Sequence, residues 1–160
     1  MEQHTVAIYP GMFDPVHNGH LDVVGDASQI FSKVIWAVGI NPTKKPMFTL
    51  EQRSEMMKLA NKFPNVELSQ FSGLLVRFAE SIGAKFIVRS LRMTMDFEYE
   101  FQMSLINKQI APSLTTIYLP ARQEHFHMSS TAVRELILNN EAVDGYLPNN
   151  VRDFIKNIRA

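Results

Sequence analysis

A doubly wound α/β domain built on a five-stranded parallel sheet is the fold class this sequence predicts, and three observations predict it. Short apolar runs rich in β-branched residues alternate along the chain with longer stretches of helical period. Each strand-like run stops at a turn signal and is followed by a helix-length segment, the crossover that a parallel pair of strands requires. The 160 residues suffice for one domain whose core needs no covalent staple, with no internal repeat or linker to divide it.

The elements follow in order. Thr5 to Tyr9 (TVAIY) reads as a buried strand ending at Pro10-Gly11, and Leu21, Val24, Ala27 and Phe31 recur at helical spacing from about Gly19. Val34 to Ile40 (VIWAVGI) is a second buried strand. Thr49 is an N-cap with Gln52 at the capping-box position, opening a helix through Lys62 that turns Met56, Leu59, Ala60 and Phe63 inward. Val66 to Phe71 is a third strand of weaker alternation. Leu75, Phe78, Ala79 and Ile82 form a stripe that Gly83 ends, and Lys85 to Val88 is the fourth strand. A helix from about Met95 to Ile110 carries Tyr99, Met103, Ile106 and Ile110 on one stripe. Pro112 closes it before the fifth strand, Thr115 to Leu119. Two C-terminal helices complete the chain: one capped by Ser129 or Ser130 and carrying Val133, Leu136 and Ile137, the other striped by Val151, Phe154, Ile155 and Ile158.

Composition limits the chemistry. There is no Cys, which excludes a disulfide framework, thiolate-ligated metal and a cysteine nucleophile. Sixteen Lys plus Arg against sixteen Asp plus Glu give zero net charge, which argues against nucleic-acid binding through bulk charge and leaves room for a local basic pocket. Met1 to Thr5 carries no basic cluster and no long apolar run follows, so neither a leader nor a membrane span is expected, and the cytoplasm is the expected location.

In doubly wound folds ligands bind beyond the C-terminal ends of the strands. The loop after the first strand, PGMFDPVHNGH, is rich in candidates. Gly11 is read as allowing a tight turn and Gly19 as keeping a helix start clear, so that amides there face an anion. His17 and His20 bracket Gly19 and can donate to phosphoryl oxygens while near neutral. Asp14 reads equally as a functional carboxylate or a cap for the loop. The loop is neither a Walker A nor a dinucleotide G-x-G-x-x-G signature. After the second strand, Lys44 and Lys45 stand between Pro42 and Pro46 as point-charge clamps or as a solvated pair. After the fourth, Arg89 and Arg92 suit bidentate phosphate contacts, or pairing with Asp96, Glu98 and Glu100. In HFHMSST, Ser129, Ser130 and Thr131 open a helix and can cap it or bind phosphate. The His125/His127 pair is spaced two apart and is not flanked by acidic residues on both sides, so no protein-ligated metal is expected.

Together, AIYPGMFDPVHNGHLD (Ala7 to Asp22), NPTKKPMFTLEQR (Asn41 to Arg53), RSLR (Arg89 to Arg92), DFEYE (Asp96 to Glu100) and the SST helix start resemble the nucleotidyltransferases marked by H-x-G-H. Within them the chain is similar to the bacterial phosphopantetheine adenylyltransferase family over nearly its whole length. The resemblance implies a Rossmann-like domain spanning 1–160 that reversibly transfers AMP from ATP to 4′-phosphopantetheine, giving dephospho-coenzyme A and pyrophosphate. It also implies Mg²⁺ bound with ATP and a cytoplasmic homohexamer.

On the matching positions it implies that His20 stabilises charge developing on the α-phosphate. Lys44 and Arg89 hold phosphate groups and orient the nucleophile. Met12, Phe13, Ser90, Leu91, Arg92, Glu100 and the run His125, Phe126, His127, Met128, Ser129, Ser130 and Thr131 meet ATP. Met12 and Leu75 lie on the phosphopantetheine side with Lys44 and Arg89.

The chemistry is coherent with such residues. A phosphomonoester is already an anionic nucleophile, so alignment and charge stabilisation matter more than a general base.

Three positions depart from the family pattern. Met12 replaces a hydroxyl residue, a loss worth roughly 1.5–3 kcal/mol where that group meets a charge. Ser90 replaces a glycine and would be strained if the position needed positive φ. His17 replaces a threonine and completes the motif of pyridine-nucleotide enzymes. His17 motivates a nicotinate or nicotinamide mononucleotide adenylyltransferase as the alternative; Met12 and Ser90 motivate a weakened nucleotide or coenzyme A sensor. Aromatic and Met-rich helices predict self-association.

Overall fold

The computed structural model describes residues 5–92 and 94–160, with the side chains of 94–96 outside the description. Residues 1–4, read above for a leader, and the Asp96 side chain, named above as an arginine partner, therefore lie outside the described residues. The chain runs β1 (Val6–Gly11), α1 (Asn18–Ile30), β2 (Lys33–Ile40), α2 (Leu50–Ala60), β3 (Val66–Ser72) and α3 (Leu75–Ser81). It continues through β4 (Phe86–Leu91), α4 (Thr94–Ile110), β5 (Thr115–Pro120), a 3₁₀ turn (Gln123–His125), α5 (Ser130–Leu138) and α6 (Asn149–Arg159). The five strands are all parallel in the order β3-β2-β1-β4-β5, the predicted doubly wound topology.

Burial explains which sequence runs were easy to read. The inner strands β1 and β2 are covered on both faces and appear as continuous apolar runs, with Val34 to Val38 buried throughout. The edge strand β3 leaves Glu67 and Leu68 exposed, which accounts for its weaker pattern. On one face Ala7, Tyr9, Trp36 and Val38 pack under Val23 and Val24 of α1, Met56 and Met57 of α2, Val133 of α5 and Val151 of α6. On the other, Ile8, Ile35, Ala37 and Ile87 meet Val76 and Ala79 of α3, together with Ala111 and Leu114.

Some elements differ from expectation for local reasons. β1 continues past Tyr9, because Pro10 and Gly11 stay in register with Ala37 and Val38. The β1–β4 register, by contrast, ends at Ile8 and Ile87, so β1 and β4 part there and a cleft opens between their C-terminal ends. Helix α2 stops at Ala60, not Lys62: Asn61 takes the C-cap, its amide donates to the Val66 carbonyl, and its side-chain oxygen accepts from the Phe63 N–H. The stripe expected to bury α4 does so only at its end. Ile110 packs on the core, whereas Tyr99 and Ile106 are 63% and 40% exposed, alongside exposed Phe97, Phe101 and Leu105. Periodicity marks an apolar face without naming what covers it. No helix among the described residues is long and apolar enough to cross a membrane.

The capping box of α2 is formed as expected, Thr49 accepting from the Gln52 N–H at 3.2 Å and Gln52 from the Thr49 N–H at 2.9 Å. Thr49→Ala should lower stability by about 1 kcal/mol, read as a shift of the urea midpoint with unchanged slope.

Candidate active site

The cleft where β1 and β4 part has a volume of about 290 Å³. Its walls are Tyr9, Pro10 and Gly11 from β1, Phe13, His17, Gly19 and His20 from the following loop and helix, and Arg89, Ser90 and Arg92 from the end of β4. Glu100 of α4 and Ser129, Ser130 and Thr131 at the start of α5 complete it.

The β1–α1 loop is held from several directions. Phe13 adopts φ of +46°, and its ring is 2% exposed, edge-on to Tyr9, Trp36 and His20 with centroids 5.4, 5.5 and 4.9 Å apart. A Cβ on Gly11 would stand 2.7 Å from Phe13 Cζ. Gly11 is thus needed for ring packing, not for the tight turn expected of it, since its φ is not positive. Asp14 is a clamp: its buried carboxylate accepts the Met47 and Phe48 N–H groups, both at 2.9 Å, and its carbonyl accepts from Arg134 at 2.7 Å. The cap reading, left level with a functional carboxylate above, is the one its geometry carries.

Arg53 was missed. It is buried on α2 and donates to the Met12 carbonyl at 2.8 Å and the Gly39 carbonyl at 3.3 Å, pinning the loop to β2. Burial lowers the pKa of its guanidinium, partly offset by Asp14. The signal was present, because Arg53 stands three and four residues before the buried Met56 and Met57, on the same helical face.

His17 and His20 form a stacked pair, centroids 3.6 Å apart, with His17 3% exposed at the N-cap of α1. The His17 backbone N–H donates to His20 Nδ1 at 3.1 Å, which places the His20 proton on Nε2. Burial lowers the His17 pKa to about 3, helped by Arg92 and His125, and pushes His20 well below its ordinary value. Both rings are therefore neutral at pH 7, and His20 offers a fixed, uncharged donor. A Cβ on Gly19 would lie 3.1 Å from the His17 ring, so Gly19 makes room for that stack. The first amides of α1 are less available than expected: Asn18 N–H donates to the Tyr146 carbonyl and His20 N–H to the His17 carbonyl.

Opposite, Arg89 makes a bidentate pair with Glu100 at 2.6 and 2.7 Å and donates to the Pro10 carbonyl at 3.1 Å, bridging the parted strands. Burial opposes its charge, but Glu100 more than offsets this and raises its pKa. The pairing reading of Arg89 is the one the geometry carries, with Glu100 as the partner at the wall of the cleft. Arg92 donates to the Met128 carbonyl at 2.6 Å. Ser90 lies in the β4 ladder opposite Leu119 without positive φ, so the strain considered above is absent. Ser129 caps α5 by accepting the Ala132 N–H, Ser130 donates to the Pro15 carbonyl, and Thr131 accepts from Arg134.

Other predicted residues lie apart from the cleft lining. Lys44 is exposed on the loop 41–46, Leu75 packs at the start of α3, Leu91 pairs with Pro120, and Met12 contributes its carbonyl to Arg53. Phe126 and His127 are exposed, the latter edge-on to Tyr146, and Met128 is buried. His125 does have an acidic neighbour, supplied from α1 by Asp22. Among the described residues no group of three or more His, Cys, Asp or Glu is arranged to hold a metal ion.

The cytidylyltransferase-like family matches residues 8–136. The phosphopantetheine adenylyltransferase of Heliobacterium modesticaldum is 48% identical over 145 residues, covering 90% of this chain and 86% of that protein. That of Caldanaerobacter subterraneus subsp. tengcongensis is 43% identical over 149 residues, covering 92% and 93%. A crystal structure of a candidate nicotinate-nucleotide adenylyltransferase from Vibrio parahaemolyticus superposes with a TM-score of 0.72 over 96% of this chain and 92% of that one. At 20% identity this last likeness shows the fold alone.

The neutral histidines predict an acid sensitivity. His17 binds its proton near pH 3 when folded and near 6.5 when unfolded, so between these values the unfolded chain holds more protons. Stability should rise with pH across that window and be lost on acidification through it. Urea midpoints taken at intervals from pH 7 to about 4 should fall, and His17→Gln should flatten the profile.

Proposed function

Because the chain belongs to the phosphopantetheine adenylyltransferase family, we propose that it transfers AMP from ATP to 4′-phosphopantetheine, releasing pyrophosphate and forming dephospho-coenzyme A. The observation that carries the reading is His20: a half-buried, neutral imidazole at the cleft wall whose tautomer is set by the His17 backbone N–H and whose remaining N–H is left to donate. A phosphomonoester oxygen of the acceptor attacks the α-phosphorus while the bond to pyrophosphate breaks. The acceptor is already anionic, so no base is required, and His20 Nε2–H donates to the α-phosphate oxygen as charge accumulates there.

Arg92, Phe13, Ser90, Glu100 and Ser129 to Thr131 are assigned to the nucleotide side, where they line the cleft. Glu100 acts there through Arg89, since Arg89 engages both its carboxylate oxygens. Arg89 faces the acceptor phosphate. Met12, Lys44 and Leu75 are assigned to the acceptor, and Leu91 and Phe126 to Met128 to the nucleotide, by family likeness, not by proximity to the cleft; His125 serves the nucleotide side as an anchor of that segment. Magnesium enters as part of the ATP complex. The one acidic side chain lining the cleft among the described residues is Glu100, already paired. We place the reaction in the cytoplasm and in a homohexamer, with the exposed Phe97, Tyr99, Phe101, Leu105 and Ile106 of α4 as a face for self-association.

Pyrophosphate release with MgATP should require 4′-phosphopantetheine and should not occur with nicotinate or nicotinamide mononucleotide. Release with either mononucleotide alone would overturn the assignment. His20→Ala should lower kcat by about 10²–10³-fold with a much smaller change in the KM for either substrate. Leu105→Glu should reduce the mass seen by light scattering on a sizing column, while its circular dichroism remains that of the folded chain.

A further inference from the structure

We propose that Asp22 is a positioning residue for ATP binding, docking the segment that leads to the Ser129–Thr131 wall of the cleft onto α1, with His125 as the anchor it grips. The proposal rests on the reading above that this wall faces the nucleotide. Asp22 lies two residues beyond His20, and its carboxylate is buried, a costly state unless it is paired. Its partners all come from a segment about a hundred residues away in sequence. Arg122 N–H donates to Oδ2 at 3.1 Å, His125 Nδ1 lies 2.5 Å from the same oxygen, and Arg122 Nε stands 3.6 Å from Oδ1.

From that anchor the grip passes along the chain. The His125 carbonyl accepts the Met128 N–H at 3.0 Å, the Met128 carbonyl accepts from Arg92 at 2.6 Å, and the next residue, Ser129, caps α5. The segment is therefore pinned at one end by Arg92, which lines the cleft, and at the other by Asp22, which does not. Neither Asp22 nor His125 reaches the cleft lining, so each acts through the segment between them. His125 also sits against the first turn of α1, since a Cβ on Gly19 would lie 3.7 Å from His125 Cβ. The nucleotide wall is thereby docked in advance on α1, and releasing it adds an ordering cost to nucleotide binding.

The test measures MgATP affinity by calorimetry without any acceptor, together with steady-state constants and amide exchange, in Asp22→Ala, Asp22→Asn and His125→Gln proteins. In Asp22→Ala the ATP Kd and KM should rise about tenfold, with kcat and the acceptor KM within about twofold of wild type. Exchange should accelerate in 121–131 and not in the strands. Asp22→Asn, which keeps an acceptor for Arg122 N–H, should recover part of the affinity. His125→Gln should weaken ATP binding alone and add little on top of Asp22→Ala, and alone it carries the test if Asp22→Ala does not fold. Unchanged ATP affinity, or a lower kcat with both KM values unchanged, would overturn the proposal. So would an equal effect of His125→Gln in both backgrounds, because His125 would then touch the nucleotide itself. Wild-type protein that binds ATP but adenylylates another acceptor would refute the functional assignment and leave this one standing.

Discussion

The parting of β1 from β4 beyond Ile8 is the constraint on which the site depends. β1 remains laddered to β2 as far as Gly11, so its last residues keep extended geometry while their other flank is open. A gap between two parallel strands exposes backbone groups that need partners. Arg89 bridges it by donating to the Pro10 carbonyl, and Glu100 holds Arg89 there from α4. The same opening lets α1 begin beside the cleft and aims His20 into it. A topology that reverses direction at its central strand thus creates the cavity, and a handful of side chains complete it.

Most of the fold was legible because burial on two faces of a parallel sheet writes itself into sequence as unbroken apolar runs. β1, β2 and the inner faces of α1 and α2 are of this kind, and Thr49 with Gln52 marked a helix start by local chemistry alone. α4 was not legible in the same way, since its aromatic residues face away from the core of this chain. The site was half legible. Motif residues His20, Arg89 and Arg92 fall on the cleft, but what organises them comes from residues distant in sequence. Arg53 reaches 41 residues back to Met12, and Asp14 reaches 33 and 34 residues forward to Met47 and Phe48. Periodicity carries no information about which segment a buried charge will find.

Electrostatics explain how a chain of zero net charge builds a site for a polyanion. His17 and His20 contribute hydrogen-bonding capacity without charge, because burial, helped at both by the nearby Arg92, keeps them neutral. Arg89 is neutralised by Glu100, and Arg92 adds a cation at the end of β4. The cleft therefore relies on directed donors in a sheltered setting more than on a surplus of positive charge, and such donors act most strongly where charge develops during reaction. His17 fits the same logic. Its ring is buried and stacked on His20, which gives the side chain a structural reason to be present apart from any pyridine-nucleotide substrate.

The remaining departures from the family pattern bear on contacts, not on the frame. The loop carrying Met12 is shaped by the Phe13 ring over Gly11, by Asp14 gripping Met47 and Phe48, and by Arg53 holding the Met12 carbonyl. None of these uses the side chain at position 12. A thioether in place of the family's hydroxyl residue there leaves each of these interactions intact. At position 90 the backbone is extended and laddered to β5, so a serine costs no strain and adds a hydroxyl to the cleft wall. The frame is over-determined by contacts between distant segments, and that redundancy lets individual side chains at the rim vary while the donors that line the cleft stay in place.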